Sequence, residues 1–165
     1  MKQKNSDNKH PDNANVMVFP PIIYLGIFIM GYLLHYFFKV LIVNQANLAS
    51  ILDIIGIALI IVSIILPLLA IKTLGKFKTT HMVSEPTTAI VSSGVFRYSR
   101  NPIYLCGITL YLGISLIINS LLLLISIFPL FYAIREGLVK REEQYLERKF
   151  GQEYLNYKER VRRWI

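Results

Sequence analysis

Cysteine and acidic residues are scarce in this 165-residue sequence, and each shortage excludes or limits a class of structure. Cys106 is the single cysteine, so an intrachain disulfide and a cysteine-based metal cluster are excluded, and no metal site is expected. Asp and Glu total 10 against 18 Lys and Arg, which gives a formal net charge of +8. Such an excess favours an anionic partner, either a nucleic acid or a membrane surface.

Charged residues of both signs make up only 17% of the sequence, whereas hydrophobic residues make up 54%. The apolar residues are concentrated in long runs, which favours a lipid bilayer over a large soluble core. Attraction of basic residues to anionic lipid beside the membrane then explains the positive charge, and no nucleic-acid partner is expected.

Four apolar segments predict an all-α, polytopic membrane protein with about four transmembrane helices, forming a single domain over residues 16–165. Residues 1–15 are polar and predict a disordered tail. The predicted spans are residues 16–38, 48–71, 102–118 and 121–134. The first two are long enough to cross a hydrocarbon core of about 30 Å. The last two are short and predict a tight hairpin that turns at Asn119–Ser120.

The distribution of basic residues predicts the orientation. The loop 72–100 holds five Lys or Arg and the segment 135–165 holds nine, whereas the first connection holds only Lys39. Because basic loops stay on the cytoplasmic side, four crossings place both termini in the cytoplasm, in a cytoplasmic (inner) membrane.

The C-terminal segment 139–164 has a helical apolar period but too much charge to cross a membrane. Gly151 is predicted to end one helix and start a second. The two helices are predicted to lie at the membrane interface. The apolar face consists of Leu146, Phe150, Tyr154, Tyr157, Val161 and Trp164.

A first motif, GVFRYSRNPIYL, closes the long loop and opens the third span. Asn101 and Pro102 are typical of a helix N-cap followed by its first residue, and Arg97 and Arg100 are typical juxtamembrane charges. Arg100 beside a helix N-terminus is equally suited to bind a carboxylate or phosphate.

A second motif, REEQYLERKFGQEYLNY, contains the adjacent carboxylates Glu142 and Glu143. They could belong to a solvated helix with ion pairs to neighbouring basic residues. Alternatively, two carboxylates just beyond a membrane segment could hold a cation or donor hydroxyls.

Together the two motifs, about 35 residues apart, resemble the isoprenylcysteine carboxyl methyltransferase and phospholipid methyltransferase superfamily of membrane proteins. The resemblance runs from about Thr79 to Trp164, roughly half of the chain, and its upstream part is similar to the bacterial members.

The resemblance implies a cytosolic pocket for S-adenosylmethionine, with a lateral opening for a lipid or prenylated substrate. Arg100, Asn101, Pro102 and Tyr104 match the positions expected to hold the methionyl or adenosyl part. Glu142 and Glu143 match those expected to meet hydroxyls, the amino group or the sulfonium region. The cofactor's own carboxylate and cation agree with this division of basic and acidic residues.

Three positions depart from the superfamily pattern. Asn101 stands where His is common, so a general base is not expected there. Cys106 replaces a Gly, with Gly107 one place later. Leu138 replaces a basic residue of the isoprenylcysteine enzymes, which disfavours a free prenylcysteine carboxylate as the substrate.

The sequence leaves the methyl acceptor open and assigns no catalytic residue. Carboxyl O-methylation is favoured because a carboxylate is already ionised and needs no base. Glu85 or His81 in the loop could still serve as a base for a phospholipid amine. Two further functions stay open, a nicotinamide-dependent membrane reductase and a non-enzymatic membrane binding protein. The loop Thr79–Ser99 is expected to order over the cofactor.

Two ionisable residues, His35 and Asp53, lie near the outer ends of the first two spans. They are interpreted as local hydrogen-bonding or anchoring groups. The neighbouring aromatic residues are typical of an interfacial belt. They are Tyr32, Tyr36, Phe37 and Phe38.

Overall fold

The computed structural model describes residues 19–77 and 88–165, and every regular element in these ranges is helical. The predicted tail 1–15, His81 and Glu85 lie outside the described residues. The all-α fold class is confirmed. The helices are α1 Pro20–Phe38, α2 Ala46–Lys76, α3 Pro102–Ile117, α4 Leu121–Ile134, α5 Lys140–Phe150 and α6 Gln152–Arg160, with a 3₁₀ turn at Gly94–Arg97 and a π-helical turn at Arg135–Val139.

Three helical segments are long and apolar enough to cross a membrane: α1, α2 and the continuous helix Leu121–Phe150. Only the α4 part of the last segment is apolar, since the sequence turns polar at Arg135. The 16 residues of α3 span about 24 Å, shorter than a full crossing, as predicted for the hairpin. These helices make the chain an integral membrane protein.

Several predicted boundaries shift. The first helix begins at Pro20, where a proline suits the first helical turn. The second does not end at residue 71 but continues to Lys76, with Pro67 inside it. The fourth ends at residue 134 as predicted, yet the chain runs through the π turn into α5 without a break. The predicted break at Gly151 is present, with φ 53°, but α6 ends at Arg160.

Helices α2 and α3 cross where two glycines face each other. A Cβ at Gly56 would lie 2.7 Å from the carbonyl oxygen of Gly113, and a Cβ at Gly113 would lie 2.8 Å from that of Gly56. Small residues let membrane helices approach this closely, and the close contact gains van der Waals energy. This crossing therefore depends on both glycines.

The turn between α3 and α4 is tied to the connection between α1 and α2. Asn119 adopts a positive φ of 53°, and its side-chain oxygen accepts hydrogen bonds from the backbone of Ile42 and Val43. Its amide nitrogen donates to the Val43 carbonyl over 2.7 Å. Ser120 caps α4 by accepting from the Leu123 backbone. The Asn119 side chain thus supplies three hydrogen bonds at this end of the bundle, beside the backbone bond from Leu121 to Val40.

At the other end, the C-terminal residues pack inside the protein. Tyr154, Tyr157 and Val161 are buried and form a cluster with Ile90, Leu146 and Phe150. Trp164 packs against Phe131, with ring centroids 4.9 Å apart. The apolar face predicted for the membrane interface therefore covers other parts of the chain.

Candidate functional site

Arg100 and Glu143 form a buried ion pair between the loop before α3 and the start of α5. Arg100 Nη1 lies 3.1 Å from Glu143 Oε1, and both side chains are only 7% exposed. The two motifs that the sequence singles out therefore meet in space. A buried ion pair needs further hydrogen bonds to offset the desolvation of its charges.

Glu143 receives those bonds from Arg163, three residues past the end of α6. Arg163 donates from Nε to Oε1 over 3.0 Å and from Nη2 to Oε2 over 2.7 Å, a bidentate arrangement. Hydrogen bonding to Glu143 raises the pKa of Arg163. One carboxylate thus binds two arginines. Sequence reasoning missed Arg163, although the basic run at 160–163 directly before Trp164 was a usable signal.

The second carboxylate, Glu142, faces a tyrosine of the first motif. Tyr104 donates from its hydroxyl to Glu142 Oε2 over 3.0 Å. No basic side chain is paired with Glu142 among the described residues. Glu142 lies in the polar helix α5, beyond the apolar helix α4. Burial is the main cause that raises the pKa of this carboxyl, and the hydrogen bond from Tyr104 opposes the shift.

Asn101 occupies the predicted position before Pro102, but its side chain does not cap α3. Its amide nitrogen donates instead to the Arg163 carbonyl over 3.0 Å. Ser99 donates from its hydroxyl to the same carbonyl, and the Arg100 backbone donates to the Arg162 carbonyl. The expected capping bond is therefore replaced by contacts that attach the C-terminal segment beside the site.

Two tyrosines of α6 complete the surroundings of Arg100. Arg100 Nη1 donates to the Tyr154 hydroxyl over 3.2 Å, and Tyr154 is 1% exposed. Tyr157 donates to the Phe96 carbonyl over 2.8 Å. Burial raises the pKa of both phenols, so both stay protonated at neutral pH. From the sequence, Tyr154 and Tyr157 are identified only as members of an apolar face. Their helical spacing gives no sign that their hydroxyl groups make polar contacts.

One polar atom of this cluster lacks a partner. Arg100 Nε is buried and makes no hydrogen bond to any described residue. An unsatisfied buried donor costs about 1–3 kcal/mol, more when it is charged, so a ligand that supplies an acceptor here is favoured. Arg100 directly precedes Asn101, the N-cap residue of α3, and the first backbone N–H groups of a helix also attract anions.

The six residues predicted from the sequence therefore lie in one region, at the N-terminal ends of α3 and α5. The loop candidates Glu85 and His81 lie outside the described residues. Leu138 is buried in the core cluster with Ile134 and Val139, away from solvent. Among the described residues, no group of three His, Cys, Asp or Glu side chains is placed to hold a metal.

Three matches to known proteins describe what this chain is similar to. Residues 51–153 match the phospholipid methyltransferase family. A protein of Haemophilus influenzae, described as uncharacterized, is 44% identical over 57 residues, covering 34% of this chain and 81% of that protein. The solved structure of the eukaryotic intramembrane Ras methyltransferase ICMT, an isoprenylcysteine carboxyl methyltransferase, matches with a TM-score of 0.63 at 25% identity. The match covers 86% of this chain but 50% of ICMT, so the chain spans about half the length of that structure.

Proposed function

The chain belongs to the phospholipid methyltransferase family, and on this premise we propose that it transfers a methyl group from S-adenosylmethionine to an amphiphilic acceptor in the membrane. The observation that carries the proposal is the meeting of Arg100 with Glu143 and of Tyr104 with Glu142. These contacts put a basic and an acidic group side by side at one end of the bundle.

The residues present fit the proposed cofactor. Its carboxylate would be held by Arg100 Nε, the buried donor without a partner, and by the first N–H groups of α3. Its cationic part would lie near Glu142, whose charge has no basic partner among the described residues. Glu143 would act as a positioning residue, because two arginines already occupy both of its oxygens.

The cofactor, when bound, supplies a methyl group activated by a sulfonium. The chain's own contribution is then to orient that group and exclude water. The buried positions of Tyr154 and Asn101 close the region around Arg100 on the side of the C-terminal segment. Pro102 fixes the backbone at the first turn of α3.

Carboxyl O-methylation remains the favoured reaction, because an ionised carboxylate needs no base. Amine N-methylation of a phospholipid is the second candidate, since the matching family is described by phospholipid methylation. In that reaction Glu142 could accept the amine proton, as its raised pKa makes it a better base than an ordinary carboxylate.

Calorimetric titration of S-adenosylmethionine into the detergent-purified full chain tests the proposal. Glu142→Gln should bind at least several-fold more weakly, because it removes a charge while the amide oxygen keeps the bond from Tyr104. Glu147→Gln is the matched control: Glu147 lies on the same helix, is partly exposed and pairs with Lys158. It should bind like wild type.

Wild-type protein that is folded but shows no saturable binding would overturn the proposal. Titration with a nicotinamide cofactor would then separate a reductase from a non-enzymatic binding protein. If the cofactor binds, labelled methyl transfer to lipids with a free carboxylate, compared with lipids with an amine headgroup, identifies the acceptor.

A further inference from the structure

A pocket of about 290 Å³ lies at the end of α1, outside the candidate methyltransferase site. Residues of the last two turns of α1 and of the following segment line it. They are Tyr32, His35, Tyr36, Lys39 and Leu41. Positions 32, 35 and 36 fall on one face of α1, since they are spaced by one and three or four residues, and Lys39 is the residue that ends this helix, with φ 47°.

The pocket and the candidate site lie at opposite ends of the bundle. Tyr24, near the start of α1, donates to the Tyr104 carbonyl, beside the candidate site. Just after α1, Val40 accepts from the Leu121 backbone at the α3–α4 turn. The 19 residues of α1 span about 28 Å, close to the thickness of a hydrocarbon core. The pocket is therefore at the opposite membrane boundary.

The polar side chains of the pocket suit an anion. Lys39 supplies a positive charge, the two tyrosines supply hydroxyl donors and His35 supplies an imidazole. Among the described residues no carboxylate lines the cavity. The last carbonyls of α1 carry partial negative charge. One of them, the His35 carbonyl, already accepts a hydrogen bond from the Lys39 backbone N–H over 2.7 Å.

A second observation concerns His35. His35 Nδ1 is buried and has no hydrogen-bond partner among the described residues. Such an atom carries a desolvation cost that a ligand could remove by supplying a partner. His35 lies on the wall of the cavity, so a ligand bound there would be its neighbour.

We propose that this pocket binds the phosphate group of an anionic phospholipid. The level of the pocket in the bundle matches that of lipid phosphates, just beyond the apolar core. Tyr36, Phe37 and Phe38 are strongly exposed next to it and would contact the acyl chains and glycerol. The site is separate from methyl transfer and does not depend on the proposed cofactor.

Thermophoresis of the labelled full chain in detergent tests the site with soluble dihexanoyl phosphatidylglycerol. Dihexanoylglycerol is the probe without phosphate, and inorganic phosphate is the probe without lipid. Wild type should bind phosphatidylglycerol saturably and dihexanoylglycerol far more weakly. Lys39→Gln should weaken phosphatidylglycerol binding by about fivefold, the upper range for one exposed charged contact.

Lys39→Arg keeps the charge and should restore binding, and His35→Phe should weaken it. Lys72→Gln is the matched control and should bind like wild type. Lys72 is an exposed lysine near the C-terminal end of α2. Equal phosphatidylglycerol binding by Lys39→Gln and wild type would overturn the proposal. Inorganic phosphate binding as tightly as the lipid would also overturn it, because the ligand would then be free phosphate.

Discussion

The phenol ring of Tyr24 fills the space that a side chain at Gly107 would need. A Cβ at Gly107 would lie 2.6 Å from Tyr24 Cζ. The Tyr24 hydroxyl donates to the Tyr104 carbonyl over 2.9 Å, one turn earlier on α3. Since the family match begins at residue 51, Tyr24 links a helix outside the matched range to a helix of the candidate site.

Gly107→Ala is expected to destabilise the protein by displacing Tyr24 and the hydrogen bond to Tyr104. The overlap is with the far end of the Tyr24 side chain, so the ring has to move and lose its hydrogen bond, and overpacking costs about 1–3 kcal/mol. The measurement is the apparent Tm in detergent. The double variant Tyr24→Ala, Gly107→Ala should lose less apparent Tm than the sum of the losses in the two single variants, because alanine at position 24 removes the clash. Strictly additive effects would contradict the packing.

The meeting of the two motifs is expected from the resemblance to the methyltransferase superfamily, which implies one pocket lined by both, and not from the polar pattern of either motif alone. The sequence predicts α1, α3 and α4 to within a few residues because their apolar runs end at polar or turn residues. It does not predict the contact of Arg163 with Glu143, since 20 residues and a helix break separate them. Nor does it predict the π-helical turn at Arg135–Val139, which no residue type specifies.

Glu143→Ala should destabilise the protein more than Arg163→Ala. Removal of Glu143 leaves Arg100 buried without its anion, and breaking a buried pair from one side costs about 3–5 kcal/mol. Removal of Arg163 leaves Glu143 paired with Arg100, and the Arg163 side chain is 27% exposed. Thermal unfolding of both variants in the same detergent measures the difference. Equal losses of apparent Tm would show that Arg100 does not depend on Glu143.

The affinity for S-adenosylmethionine should fall as the pH is lowered through the pKa of Glu142. Burial raises this pKa above the ordinary value of a carboxyl, so the charge that attracts the cofactor's cation is present above it and lost below it. The loss should therefore begin at a higher pH than an exposed carboxyl would give. Calorimetry between about pH 4.5 and 7 measures it. Glu142→Gln should show weak binding with little pH dependence, and an equally steep dependence in this variant would assign the titration to another group.

Gly56→Ala should weaken the bundle, whereas Gly26→Ala should not. A Cβ at Gly56 would meet the Gly113 carbonyl oxygen at 2.7 Å, and a backbone atom cannot move aside without separating α2 from α3. A Cβ at Gly26 meets nothing within 4 Å, and alanine favours a helix by about 1 kcal/mol over glycine. Apparent Tm values of the two variants measure the contrast. Similar values would mean that α2 and α3 can separate slightly without loss of stability.

Asn119→Ala should lower the apparent Tm more than Asn119→Gly, although both remove the same side-chain contacts. Each variant loses the three hydrogen bonds to the backbone of Ile42 and Val43, worth about 1 kcal/mol each. Only alanine also resists the positive φ at this position, at a cost of about 1–2 kcal/mol, because glycine adopts this conformation freely. Asn119→Asp separates the contacts further, since it tolerates the same φ and keeps an acceptor for the two backbone N–H groups but places an oxygen where the amide nitrogen donates to the Val43 carbonyl. It should therefore be less stable than wild type. An alanine variant as stable as the glycine variant would show that the turn adopts a different backbone conformation.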